Sequence, residues 1–195
     1  MIEVSDTRPH HGRTSGVAGC VAYLLAFLAL VVSAGAAEKP SEYQIKAAFL
    51  YNFANFTTWP DSAFKSEDSP LVIAVLGEDP FHGALDFVES KPTADGRMVE
   101  IVHAKSLATL PQCHLLFISE SRSDYIASIV NHVKGNAILT IADESGACEN
   151  GVMICFFNED NRIRFHTNLD AIESSNLRID PRVLKLGREI GGKEQ

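Results

Sequence analysis

The chain is short of positive charge. Lysine and arginine number 17 against 25 aspartate and glutamate, a formal net charge of -8. A nucleic-acid footprint needs a basic face, so nucleic acid is excluded as the main partner, and anionic lipid with it. Catalytic signatures are missing too. There is no G-x-S-x-G elbow, no G-x-x-x-x-G-K phosphate loop and no G-x-G-x-x-G after a strand. Outside the N-terminal segment the histidines are His82, His103, His114, His132 and His166, and no two form an H-x-H or H-E-x-x-H pair. There is no C-x-x-C, and no His-Cys spacing of the kind found in metal-ligand pairs. Acidic residues are scattered, and no two stand out as an acid/base pair. No cofactor, metal or catalytic residue is expected, and there is no tandem repeat or low-complexity tract.

What is present begins with an export pattern. Met1–Arg13 is polar and carries Arg8 and Arg13, and Val21–Val32 is strongly apolar. The small residues Ala34-Gly35-Ala36 follow, then charged Glu38-Lys39. This is the order of a signal peptide, expected over residues 1–37 with cleavage at Ala36 or Ala37. Residues 38–195 are expected to form one domain in the periplasm. The alternative is a retained inner-membrane anchor, since Val17–Ala37 is just long enough to span. Val17-Ala18-Gly19-Cys20 looks like a lipobox but precedes the apolar run rather than following it.

Ser41–Pro60 reads as a helix. Ser41 can cap it, with Gln44 three residues on, and Trp59-Pro60 closes it. Its apolar residues cover most of the circumference, so the rest of the chain or a second subunit must wrap it. Leu71–Leu76 is continuously apolar and reads as a central strand covered on both faces. Further strands are expected at Met98–His103, Cys113–Ile118 and Ala137–Ile141. Helices are expected at Phe81–Val88 and Ser123–Val133, with one helical turn at Ser106–Leu110. Alternating strands and short helices predict an α/β fold with a largely parallel central sheet flanked by helices. A C-terminal antiparallel β-hairpin follows, from Val152–Phe157 and Arg162–Thr167. Asn168–Ser174 and Pro181–Ile190 read as the closing helices.

Two groups of residues carry candidate chemistry. Cys113, Cys148 and Cys155 allow three disulfide pairings. The Asn150-Gly151 turn between Cys148 and Cys155 favours that local bridge. Cys113 then reads as a small buried hydrophobe. On the second hairpin strand, the two-residue period puts Arg162, Arg164 and His166 on one face. In an acidic chain this is either an anion site or docking surface, or a solvated face paired with carboxylates across the strand. Arg178, with Asp180, extends either version.

EYQIKAAFLYNFANFTTWP, the strand ending VLGEDPF, CHLLFIS, GVMICFFNEDNRIRFHTNLDA and the segment 181–190 follow one another with the spacing of the YfiR/HmsC-like family. The resemblance covers nearly all of residues 41–190. It implies a periplasmic regulator and not an enzyme. Such a regulator binds the periplasmic sensor part of a membrane diguanylate cyclase and restrains cyclic-di-GMP signalling and biofilm formation. It also implies a homodimer and a Cys148–Cys155 bridge. Some relatives carry a further cysteine on the first sheet strand. Leu71–Leu76 has none, which argues against a redox switch through Cys113. Two other classes compete. One is a periplasmic protein binding a small anion through Arg162, Arg164 and His166. The other is a small thiol enzyme or hydrolase using Cys113 near His114, although adjacent strand residues point to opposite faces.

Overall fold

The structure is a computed structural model that describes residues 40–191; the expected signal peptide lies outside them. Ser41 starts the first helix, α1 (Glu42–Phe56), with the capping box its sequence predicts. The Gln44 amide donates to Ser41 Oγ (3.2 Å), and the Ser41 amide donates to Gln44 Oε1 (2.7 Å). The helix ends at Phe56, before the expected Trp59-Pro60 stop. Thr57 and Thr58 are β-branched and extend into a short strand, β1 (Thr57–Thr58). It pairs antiparallel with β8 (Arg178–Ile179).

The main sheet has seven strands. They are β2 (Leu71–Leu76), β3 (Val99–Ala104), β4 (Leu115–Ile118), β5 (Leu139–Ala142), β6 (Ile154–Glu159), β7 (Arg162–Asn168) and β9 (Arg188–Ile190). Their spatial order is β3-β2-β4-β5-β6-β7-β9. The first five run parallel, β7 is antiparallel to β6, and β9 is parallel to β7. The α/β fold with a largely parallel sheet and a C-terminal hairpin is therefore present. Alternate residues of β2 explain its unbroken apolar run. Leu71, Ile73 and Val75 join Ala47, Leu50 and Phe53 of α1 in one core. Ala74 and Leu76 join Ile126, Ile129 and Val133 of α2 (Ile126–Val133) in the other.

Strand order reverses between β2 and β4, where parallel α/β sheets commonly seat a ligand. Here side chains from the β4–α2 connection occupy that place. Gly77 (φ +108°) would carry a Cβ only 2.5 Å from Ser121 Oγ, and the Glu78 amide donates to the same hydroxyl at 2.9 Å.

Three expected helices differ. Phe81–Val88 is a chain of turns, because His82 (φ 47°) and Gly83 (φ 88°) leave the helical region. Phe81, Leu85 and Val88 are nonetheless buried, so their spacing serves the core without a helix. α2 starts at Ile126 rather than Ser123, after a 3₁₀ segment, Glu120–Tyr125. Pro181–Ile190 is not one helix. Only Pro181–Leu184 (α4) is helical, following α3 (Leu169–Glu173) and β8. Gly187 then presses against Phe165 and Thr167 so closely that a Cβ would fall 2.5 Å from each. That approach lets Arg188–Ile190 join the sheet as β9.

α1 is tied down by a group that its apolar pattern hides. Lys46 is a charged residue on this mostly apolar helix, yet it is 3% exposed. Its ammonium donates to Asp143, which follows β5, and to Glu42 at 2.5 Å. It lies 4.6 Å from the centroid of the Tyr43 ring. The Tyr43 hydroxyl donates to the other Asp143 oxygen at 2.8 Å. Burial, and then the Asp143 carboxylate, push the Tyr43 phenol well above its ordinary range. Phe53 is the fully buried aromatic of α1, Phe49 is half-buried beside it at 6.0 Å, and Phe56 is 40% exposed.

Cys148 and Cys155 form a disulfide with Cα atoms 5.8 Å apart, inside the span a bridge accepts. Cys148 lies in the 3₁₀ segment Ser145–Asn150, which Gly151 (φ 95°) turns back toward β6. Replacing both cysteines by serine is expected to lower stability by about 2–3 kcal/mol, the chain-entropy value for so short a loop. Urea unfolding checks this, and an unchanged midpoint contradicts it.

Candidate functional site

The hairpin turn consists of Asp160 and Asn161, both at positive φ (51° and 57°), as a two-residue turn between twisted strands requires. The turn fixes the register. Glu159 stands opposite Arg162, Phe157 opposite Arg164, and Cys155 opposite His166. Directly opposed residues share a face. Arg162, Arg164 and His166 therefore stand with Phe157 and Glu159, while Phe165 and Thr167 turn into the core.

β9 completes this face. Arg188 stands opposite His166. Its guanidinium donates to both Glu159 oxygens, at 2.7 and 2.6 Å, and lies 5.2 Å from the centroid of Phe157. Arg164 Nε reaches Glu159 at 2.8 Å. The hydrogen bond from Arg188 leads in holding the Glu159 carboxyl below its ordinary value, helped by the charges of Arg188 and Arg164. Phe157 in turn stacks on His166, with centroids 4.4 Å apart and planes at 21°. His166 Nδ1 is buried and has no hydrogen-bond partner among the described residues.

Carboxylate pairing across the hairpin is thus real but incomplete. Arg162, Arg164 and Arg188 bring three positive charges against the single negative charge of Glu159. The face keeps a surplus of two on a chain whose net charge is -8. Arg162 is exposed and Arg164 has 44% of its side chain in solvent.

Arg178 does not extend this face. It lies on β8, opposite Thr58, in the separate two-stranded sheet. Asp180 turns instead to Arg182, accepting its amide at 2.8 Å and its guanidinium at 2.7 Å. Those bonds hold the Asp180 carboxyl at about 2. Sequence reasoning missed Arg188, because Pro181–Ile190 reads as a helix and hides a residue of the sheet. The identity of Gly187 was the available signal.

The thiol pair does not assemble. Cys113 is buried on the α2 side, whereas His114 meets Trp59 and Phe64 on the α1 side. Burial pushes the Cys113 thiol up to about 12, so it stays protonated. Among the described residues no three His, Cys, Asp or Glu are placed to hold a metal ion.

The arrangement can therefore bind anions or an acidic surface, and it offers no nucleophile with an adjacent base. A model of the YfiR/HmsC-like family matches residues 43–188, from the first turn of α1 to the first residue of β9. That match spans more than half of the sequence and includes the whole basic hairpin, and by it the chain belongs to the YfiR/HmsC-like family.

Proposed function

We propose that this protein is a periplasmic repressor, exported by a signal peptide at residues 1–37. Residues 38–195 form one homodimerising domain that binds the periplasmic part of an inner-membrane diguanylate cyclase. The observation that carries this reading is the family match over residues 43–188. Repression requires that the domain bind the inactive arrangement of the cyclase more tightly than the active one. The surplus charge of Arg162, Arg164 and Arg188 makes the β6–β7–β9 face our candidate contact, with Arg178 outside it. No helix among the described residues is long and apolar enough to cross a membrane.

Deleting the gene is expected to raise cyclic-di-GMP, matrix production and surface attachment where the cognate cyclase is present. The same deletion without that cyclase should change nothing. An unchanged nucleotide level in the first strain refutes the repressor reading. The same face favours a second reading, a small-anion-binding protein, and the two are compatible if the anion tunes affinity for the partner.

A further inference from the structure

The segment between β1 and β2, residues 61–70, has only one 3₁₀ turn (Asp61–Ala63) and is otherwise irregular. It is fastened from outside. Arg97 donates to the carbonyls of Ser66, Glu67 and Ser69, and its guanidinium lies 3.7 Å from the Phe64 ring centroid. The second fastening is His114, 4% exposed, at the amino end of β4. Its ring stacks on Phe64 with centroids 4.3 Å apart. Its Nε2 lies 3.2 Å from the Ala63 carbonyl, to which it must donate. Its Nδ1 accepts the Val72 amide of β2 at 2.9 Å. A backbone amide can only donate, so the ring in this arrangement is neutral and carries its proton on Nε2.

Neither ring nitrogen is bonded to a carboxylate. Arg97 faces His114 from the turn before β3. Lys65 of the strap and Glu100 of β3 line, with His114, a cavity of 280 Å³. Gln112 and Cys113, the preceding residues, are uncharged, and Gln112 also donates to the Ala63 carbonyl at 3.2 Å.

We propose that His114 is an acid-released latch on residues 61–70: a proton on Nδ1 leaves the Val72 amide without its acceptor and sets a cation beside the Arg97 guanidinium, so the ring leaves its place and takes with it the Nε2–Ala63 hydrogen bond and the Phe64 stack that hold the strap. Burial first, and the Arg97 charge after it, lower the His114 pKa below its ordinary 6.5. The closed latch thus binds a proton less readily than the open one. Its closing contribution is complete above about pH 6.5 and fades as pH falls toward the lowered value. Between those two limits the opening constant grows up to about tenfold per pH unit. This inference does not depend on the repressor reading.

The test uses hydrogen exchange of the purified chain and the fluorescence of Trp59, the only tryptophan in the sequence. The Trp59 ring stands edge-on to His114 at 6.4 Å, and its Nε1 donates to the His114 carbonyl at 3.1 Å. Exchange in residues 61–72, corrected for intrinsic rates, should quicken from pH 7 to pH 5, by no more than about tenfold per pH unit. Amides of β4 and β5 should stay protected, and Trp59 emission should change with the same midpoint. H114Q offers an amide acceptor and donor without titrating, so its profile should be flat, whereas H103Q should behave as wild type. A flat wild-type profile overturns the latch, as does quickening of β4 and β5 together with the strap. An unchanged acid response in H114Q overturns it by assigning the response to another group. The wild-type outcomes decide the matter even if H114Q does not fold.

Discussion

Asp143→Ala is expected to lower stability by about 3–5 kcal/mol, the cost of leaving a buried charge without its partner. Lys46 is 3% exposed, and its ammonium is shared between Asp143 and Glu42. The side chain of Asp143 is 7% exposed and that of Glu42 43%, so the interior member of the pair is Asp143. Its removal also strips the Tyr43 hydroxyl of its acceptor. The damage reflects the stranded ammonium and not a large net value of the pair. Lys46→Met combined with Asp143→Leu should therefore recover most of the loss, since an apolar pair of similar volume often replaces a buried ion pair at little cost. Urea unfolding of the wild type and the two variants measures both quantities. A loss below about 1 kcal/mol for Asp143→Ala would mean that Lys46 turns out to water and does not anchor α1.

The same residues show where the sequence was readable. Leu71–Leu76 was legible because both of its faces are buried and every position must be apolar. The Ser41–Gln44 box was legible because capping is local chemistry. So was the Cys148–Cys155 bridge, closed over a turn that Gly151 alone makes easy. Lys46 was not, since its partner stands 97 residues away in sequence and nothing local announces it. Phe81–Val88 was misread because buried apolar spacing is shared by helices and by compact turns, and the positive φ of His82 leaves no trace in composition. For the basic face, the two-residue period placed Arg162, Arg164 and His166 correctly. It could not supply Arg188 or the role of Glu159, because both depend on how β9 returns to the sheet.

Replacing both Arg162 and Arg164 by alanine is expected to abolish repression of the cognate cyclase while leaving the domain folded. Both side chains point to solvent, so the change in stability should stay within about 0.5–1 kcal/mol, the lost Arg164–Glu159 contact included. Arg188 and Glu159 remain paired, and the face falls from a surplus of two positive charges to none. Losing charge contacts across an interface slows association and can cost several kcal/mol when the pairs are desolvated. A loss of about 3 kcal/mol would weaken the complex more than a hundredfold. R162K/R164K separates charge from shape. It keeps the surplus but loses the planar fork that meets a carboxylate with two hydrogen bonds. Partial repression by the lysine variant would point to long-range attraction, and none to bidentate contacts. The measurement is cyclic-di-GMP in the cyclase-containing strain, with periplasmic protein level and Cys148–Cys155 oxidation as controls for export and folding. Full repression by a folded, normally exported R162A/R164A protein would leave the hairpin face a solvated surface. Docking would then have to use exposed apolar residues such as Phe56, Phe87 or Leu186.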